Sequence, residues 1–298
     1  MEQTGGVGLA LVLVTIAFFR LLRGLLGQTG VPSAVGQKGD EFRVFRYRNL
    51  VVSAHHAAIT GAWAAAVCII YREEMRDNFL RFTNWPTYGL VCFSTGYFLY
   101  DTLDILLAGR MREKWDILVH HGAILGSAAY TVGAVDCIGY HAVAMLIEIN
   151  TLFLHSRKLL QVSGVLGSSW VVRVNRWLNL STFVVFRFIP LGLLVQAAWI
   201  EAARLPPAFL SFFSGAMLIL CVVNVILFWR LIRADVKWLR SSAATLTRLT
   251  ESLGGVCGSL NLFEDNPGEI SYADLRTAPT LISFSHSNGQ ARRRKQLD

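Results

Sequence analysis

The sequence predicts an all-α membrane protein with about seven transmembrane helices. Three observations carry that reading. Of the 298 residues, 53% are hydrophobic and only 16% are charged, and the mean hydropathy is +0.45. The apolar residues gather in runs long enough to cross a bilayer, which takes about 20 residues at ~1.5 Å of rise each. The basic residues gather in alternate loops between those runs, as the positive-inside rule requires.

The runs are roughly 7–26, 50–71, 87–108, 116–134, 136–155, 178–200 and 207–231. In the first, Arg20 and Arg23 follow the apolar core and no basic residue precedes it. That order fits a retained span better than a cleaved signal peptide. With the N-terminus outside, the first cytosolic loop carries Lys38, Arg43, Arg46 and Arg48, and the second Arg110, Arg112 and Lys114. Arg157, Lys158, Arg173 and Arg176 lie in the third, and Arg233, Lys237 and Arg240 open the tail. The opposite side has Arg72, Arg76, Arg81 and Arg204. The expected topology is multi-pass, with the N-terminus outside and the C-terminus cytosolic. The net charge of +8 expresses this topology and points to no nucleic-acid partner.

An ionisable group inside a span is costly unless paired or hydrated. His55 and His56 fall near the cytosolic end of the second span. On the third, Tyr97, Asp101 and Asp104 stand at i, i+4 and i+7 and form one polar stripe. On the fourth, His120 and His121 are about one turn deep, roughly 6–8 Å. Asp116 stands four residues before His120, where its carboxylate could orient the imidazole. The two rings point about 100° apart, so at most one aims squarely at a shared cavity. His141, Glu148 and His155 recur every seven residues on the fifth span, and Arg187 lies in the sixth. Apart from His141, these groups occupy the cytosolic half, which argues against a channel path.

Two readings compete for this cluster. In one, polar residues glue helices together, with Arg187 paired to Glu148 or Asp101 and close packing at "GAILG", Gly122 to Gly126. In the other, a polar pocket opens to the cytosol and holds an amphiphile's headgroup, its acyl chain lying among the spans. The converging stripes favour the pocket, with His55, Tyr97, Asp104, Asp116, Glu148, Asn150 and Arg187 as its expected lining.

An imidazole backed by a carboxylate serves as a general base or as a nucleophile that carries an acyl group. His120, His121 and Asp101 are therefore the catalytic candidates. A diiron lipid oxidase would need about eight histidines in HxxxH and HxxHH boxes; this chain has seven, none so spaced. The five cysteines, at 68, 92, 137, 221 and 257, show no paired spacing. No disulfide framework, metal site or cofactor is expected.

Residues 234–253 read as a short amphipathic helix on the inner leaflet, with Trp238, Leu239, Leu246, Leu249 and Leu253 among basic residues. From about 254 the composition suggests disorder. Arg292, Arg293, Arg294 and Lys295 would favour anionic inner-leaflet lipid, an incidental charge run being the alternative. The ending "RKQLD" is not a retrieval signal and permits the plasma membrane.

"STGYFLYDTLDIL", "WDILVHHGAIL", "LIEINTLFLHSRKLL" and "LSTFVVFRFIPLG" together resemble the TLC-domain family over about 42–235, and "RNLVVSAHHAAITG" fits it too. The resemblance implies a six-helix TLC-type bundle preceded by an N-terminal span. The domain boundaries become 1–41 for that span and its loop, 42–235 for the TLC domain and 236–298 for the tail. It places His55 as the better counterpart of the family's histidine in the second span. His120 and His121 match the active-site pair of the ceramide synthases. Those enzymes carry an acidic stretch downstream, where this chain has only Glu148, a departure that argues against ceramide synthesis. Within the family the stretches most resemble the branch of TLC domain-containing proteins 1 and 2, more the second. That branch implies a regulator of plasma-membrane phospholipid composition and fluidity, one that limits incorporation of long-chain polyunsaturated acyl chains and so favours rigidity. Its partners would be membrane phospholipids or acyl-chain substrates. The alternative is an acyltransferase, ceramide-synthase-like or lysophospholipid-acylating, working through His120 or His121.

Overall fold

In hydrocarbon each backbone N–H and C=O must be satisfied inside its own segment, so long apolar runs become helices. The computed structural model describes residues 5–36, 40–79, 81–165 and 169–261, the stretch 241–261 as backbone alone. The elements are α1 (Gly5–Gln28), α2 (Ser33–Gly36), α3 (Glu41–Ile70), α4 (Arg72–Asp77), α5 (Trp85–Leu107) and α6 (Trp115–Ala134). There follow α7 (Ile138–Ala144), α8 (Ile147–Val162), α9 (Trp170–Phe183), a π-helical turn (Val184–Phe188), α10 (Ile189–Ile200) and α11 (Pro207–Asn261). No strand occurs among the described residues. Among the described residues seven stretches are long and apolar enough to cross a membrane. The all-α, seven-span expectation is met.

The helices begin earlier than their apolar cores because polar caps extend them. Asp40 caps α3, its carboxylate accepting the Phe42 and Arg43 amides at 3.0 and 3.2 Å. The sixth span starts at Trp170, so Arg173 and Arg176 ride on α9 and not in a loop. The fifth span is interrupted at Met145–Leu146. There the ladder tightens, with Leu146 N donating to Val143 O at 3.1 Å and Glu148 N to Met145 O at 3.0 Å. His141 and Glu148 therefore stand on two helices, not on one continuous stripe. In the sixth span Pro190 has no amide to donate, and the preceding turn widens into the π segment that carries Arg187.

The chain divides into two compact units, 1–237 and 238–298. In the second the backbone is helical as far as Asn261. Residues 254–261 are thus helical where disorder was expected, since lengthening a formed helix costs little compared with starting one. The remainder of the tail, with Arg292, Arg293, Arg294 and Lys295, lies outside the described residues.

In the first unit α3 packs along α8 and α1 along α5. Glycines set these approaches. A Cβ on Gly96 would stand 2.6 Å from Thr15 Cβ and 2.7 Å from Val12 O of α1. One on Gly61 would meet Ile149 N of α8 at 2.9 Å. At "GAILG" only Gly126 is closely approached, by the Phe212 ring, while Gly122 faces open space. Asp104, expected in the pocket, lies instead against α1, 3.8 Å from Arg20 and 3.6 Å from Arg23. At the end of the bundle Asp235 accepts Arg157 at 2.6 Å and Arg176 at 2.9 Å, joining α11 to α8 and α9.

Gly96→Val overpacks the α1–α5 seam and is expected to cost about 1–3 kcal/mol. The check is the thermal midpoint in detergent beside Gly122→Val, which should leave it unchanged.

Candidate functional site

Two polar constellations occupy the interior, and they are not the ones helical spacing alone would assemble. The first joins α3, α5 and α6. Asn49 donates its amide to Asp101 Oδ1 at 2.5 Å and accepts Lys114 Nζ at 3.3 Å. Asp101 Oδ2 is 3.8 Å from His121 Nε2, and His121 Nδ1 is 3.2 Å from Thr102 Oγ1. His121 and Asp101 are both buried. Burial lowers the Lys114 ammonium below its ordinary value, and the facing Asp101 carboxylate opposes that shift.

Beside this network His56 is buried on α3. Its ring stacks on Tyr97 at 3.7 Å, its Nε2 lies 3.2 Å from Ser94 Oγ, and its Nδ1 lies 3.8 Å from Glu148 Oε2. Tyr97 donates to Ser53 Oγ at 2.9 Å. His55 is exposed, its Nδ1 on the Val51 carbonyl at 2.8 Å. His56 is thus the inward residue of the pair, and His55, the expected lining residue, is not in the wall of the cavity described below. A step of about 100° separates consecutive side chains, and the apolar and small residues of this segment do not say which one faces inward.

The second constellation surrounds a cavity between α6, α7, α8, α11 and the π turn. Its wall is mostly apolar, with Ile124, Met145, Met217 and Leu220, and its polar members include His120, His141, Glu148, Arg187 and Asn224. Arg187 is buried and donates Nε to Asn150 Oδ1 at 2.6 Å, Nη1 to Asn224 Oδ1 at 2.7 Å and Nη2 to Thr151 Oγ1 at 2.8 Å. It makes no ion pair among the described residues, so the partnership with Glu148 or Asp101 that belonged to the packing reading is not found. Asn150 is held by giving its amide to Asn179 Oδ1 at 3.0 Å and Thr182 Oγ1 at 2.9 Å. His141 sits between Ser127 at 3.2 Å and Thr131 at 3.1 Å. The Nδ1 of His120 and the hydroxyl of Tyr140, both in the wall, are buried without a hydrogen-bond partner. Asp116 is exposed and does not orient His120, because the start of α6 turns it outward.

The TLC domain model matches residues 46–233. The chain belongs to the TLC-domain family. The domain covers α5 to α10 and most of α3, and takes α11 as far as residue 233, which is six spans, with α1 ahead of it. Both constellations lie wholly within it. The chain is 31% identical over 229 residues to human TLC domain-containing protein 1, covering 76% of this chain and 90% of that one. It is 29% identical over 221 residues to TLC domain-containing protein 2 of Danio rerio, covering 74% and 87%. No solved structure matches it significantly.

Within this TLC domain the requirements for imidazole catalysis are divided. His121 has the carboxylate behind it but is not a wall residue of the cavity. His120 faces the cavity, and its Nδ1 has no partner. Their rings are 5.9 Å apart, on different faces of α6. Asn49, Lys114 and Asn224 escape a reading by ionisable stripes, although a lone asparagine in "CVVNVILFW" was a visible signal.

His56→Ala removes a fully packed ring and should destabilise by about 2–5 kcal/mol. His55→Ala should stay within about 0.5 kcal/mol. Thermal unfolding of the two variants in the same detergent tests the inward assignment; equal losses would contradict it.

Proposed function

We propose that this protein binds an acyl-chain amphiphile in the cavity without turning it over, and through that binding regulates phospholipid composition and fluidity. In this reading it acts at the plasma membrane, with the N-terminus outside and the C-terminus cytosolic. It limits incorporation of long-chain polyunsaturated acyl chains into phospholipids and so favours a more rigid membrane. The alternation of basic loops supports the orientation. Membership of the TLC-domain family, and similarity to TLC domain-containing proteins 1 and 2, support a role in membrane lipid.

The observation that carries the non-catalytic reading is the division just described. A mostly apolar cavity with a few converging polar groups is a ligand site. A general base or acyl carrier needs its reacting nitrogen at the substrate and a group behind it that fixes the tautomer. Here the Asp101–His121 couple stands outside the wall and His120 stands in it. The acyltransferase reading draws on the closeness of the two rings, and it requires the couple to act on the cavity.

Asp101→Asn keeps the shape of the couple and removes its charge; Ala123→Trp fills the cavity. In cells lacking the endogenous protein and fed a polyunsaturated fatty acid, Asp101→Asn should restrict polyunsaturated phospholipids as wild type does, at matched surface level. Ala123→Trp should not. Loss of restriction in Asp101→Asn would favour acyl transfer over binding.

A further inference from the structure

We propose that the cavity is the receptor for a single-chain amphiphile with a compact anionic head, a carboxylate or a phosphate monoester, seated against Arg187 and His120. The inference rests on the lipid-binding reading above and adds the ligand's charge and chain number. Besides Tyr140, the ionisable side chains in the wall are His120, His141, Glu148 and Arg187. Two of these four are held in ways that leave nothing for an anion. His141 is held by Ser127 and Thr131, and Glu148 faces His56 at 3.8 Å.

The other two are left for a ligand. Three of Arg187's N–H donors go to neutral oxygens, those of Asn150, Asn224 and Thr151, and no carboxylate among the described residues lies within ion-pair distance. His120 Nδ1 is buried with no partner at all. A buried cation surrounded by neutral acceptors gains most from an anion delivered into the same low-dielectric space. The guanidinium fork suits carboxylates and phosphates. The three neutral acceptors fix the plane of that fork before any ligand arrives, which lowers the ordering cost of binding.

The wall sets the chain number: α11 gives it one apolar side, with Phe213, Ala216, Met217 and Leu220. The wall runs along α11 from Asn224, beside Arg187, to Phe213, about 16 Å away at ~1.5 Å of rise per residue. Met217 and Leu220 lie between, an apolar track for the chain.

The test uses the full-length protein in nanodiscs of phosphatidylcholine. Labelled oleate is displaced by unlabelled oleate, oleoyl lysophosphatidic acid, monooleoylglycerol or dioleoyl phosphatidic acid. Oleate or the lysophosphatidic acid should compete at least about tenfold better than monooleoylglycerol, the same chain without charge, a difference of about 1.4 kcal/mol. Whichever of the two wins identifies the head. The two-chain phosphatidic acid should not compete. Arg187→Lys should keep most of the preference and Arg187→Gln should abolish it. Should Arg187→Gln fail to fold, the wild-type series still decides. Equal competition by monooleoylglycerol, or by the two-chain lipid, overturns this inference and leaves lipid binding standing. Failure to bind any of the four, by direct titration of each, overturns both.

Discussion

A guanidinium inside a transmembrane bundle must be solvated by protein alone, and the rest of the interior is arranged around Arg187. Its three bonds reach Asn150 and Thr151 on α8 and Asn224 on α11. The π turn that carries it exists because Pro190 cannot complete the regular ladder. Asn150 passes the constraint to Asn179 and Thr182 on α9. One side chain thus fixes the spacing of three spans, and the space that this spacing leaves against α6 and α7 is the cavity. A polar layer of this kind costs little only when every member is satisfied. Neutral amides suit this place because Asn150 offers an oxygen to the cation and an N–H to the next group.

The second polar network has a different character. Lys114, Asn49, Asp101, His121 and Thr102 form a chain of contacts that stays between α3, α5 and α6 and their approach loop. It holds the start of α6 in place and thereby aims His120. The pair of adjacent histidines is split between these tasks: His121 belongs to the scaffold and His120 to the cavity. Adjacent residues on a helix cannot both face one target, so this division is a consequence of geometry.

The span count was legible in the sequence because hydrocarbon leaves so few alternatives for a long apolar run. The rotation of each helix was not. His55 and His56 differ by one step, and only packing against Tyr97 and Phe19 makes His56 the inward one. The stripe at His141 and Glu148 assumed an unbroken helix, whereas the tightened turn at Met145–Leu146 resets the phase. Asp104 looked like part of a pocket, but arginines of α1 claimed it, and a pattern within one span does not report a partner from another. The packing reading paired Arg187 with a carboxylate; it bonds instead to two asparagines and a threonine. Charge counting sees ions and overlooks asparagines, whose side-chain oxygens accept the guanidinium here.

The most direct measurement is an electron cryo-microscopy map of the protein in nanodiscs made with native lipid extract. The account predicts elongated density in the cavity with its polar end at Arg187 and His120, while Arg187 keeps its contacts with Asn150 and Asn224. A map in which Arg187 swings to pair with Glu148 and the cavity closes on itself would contradict it.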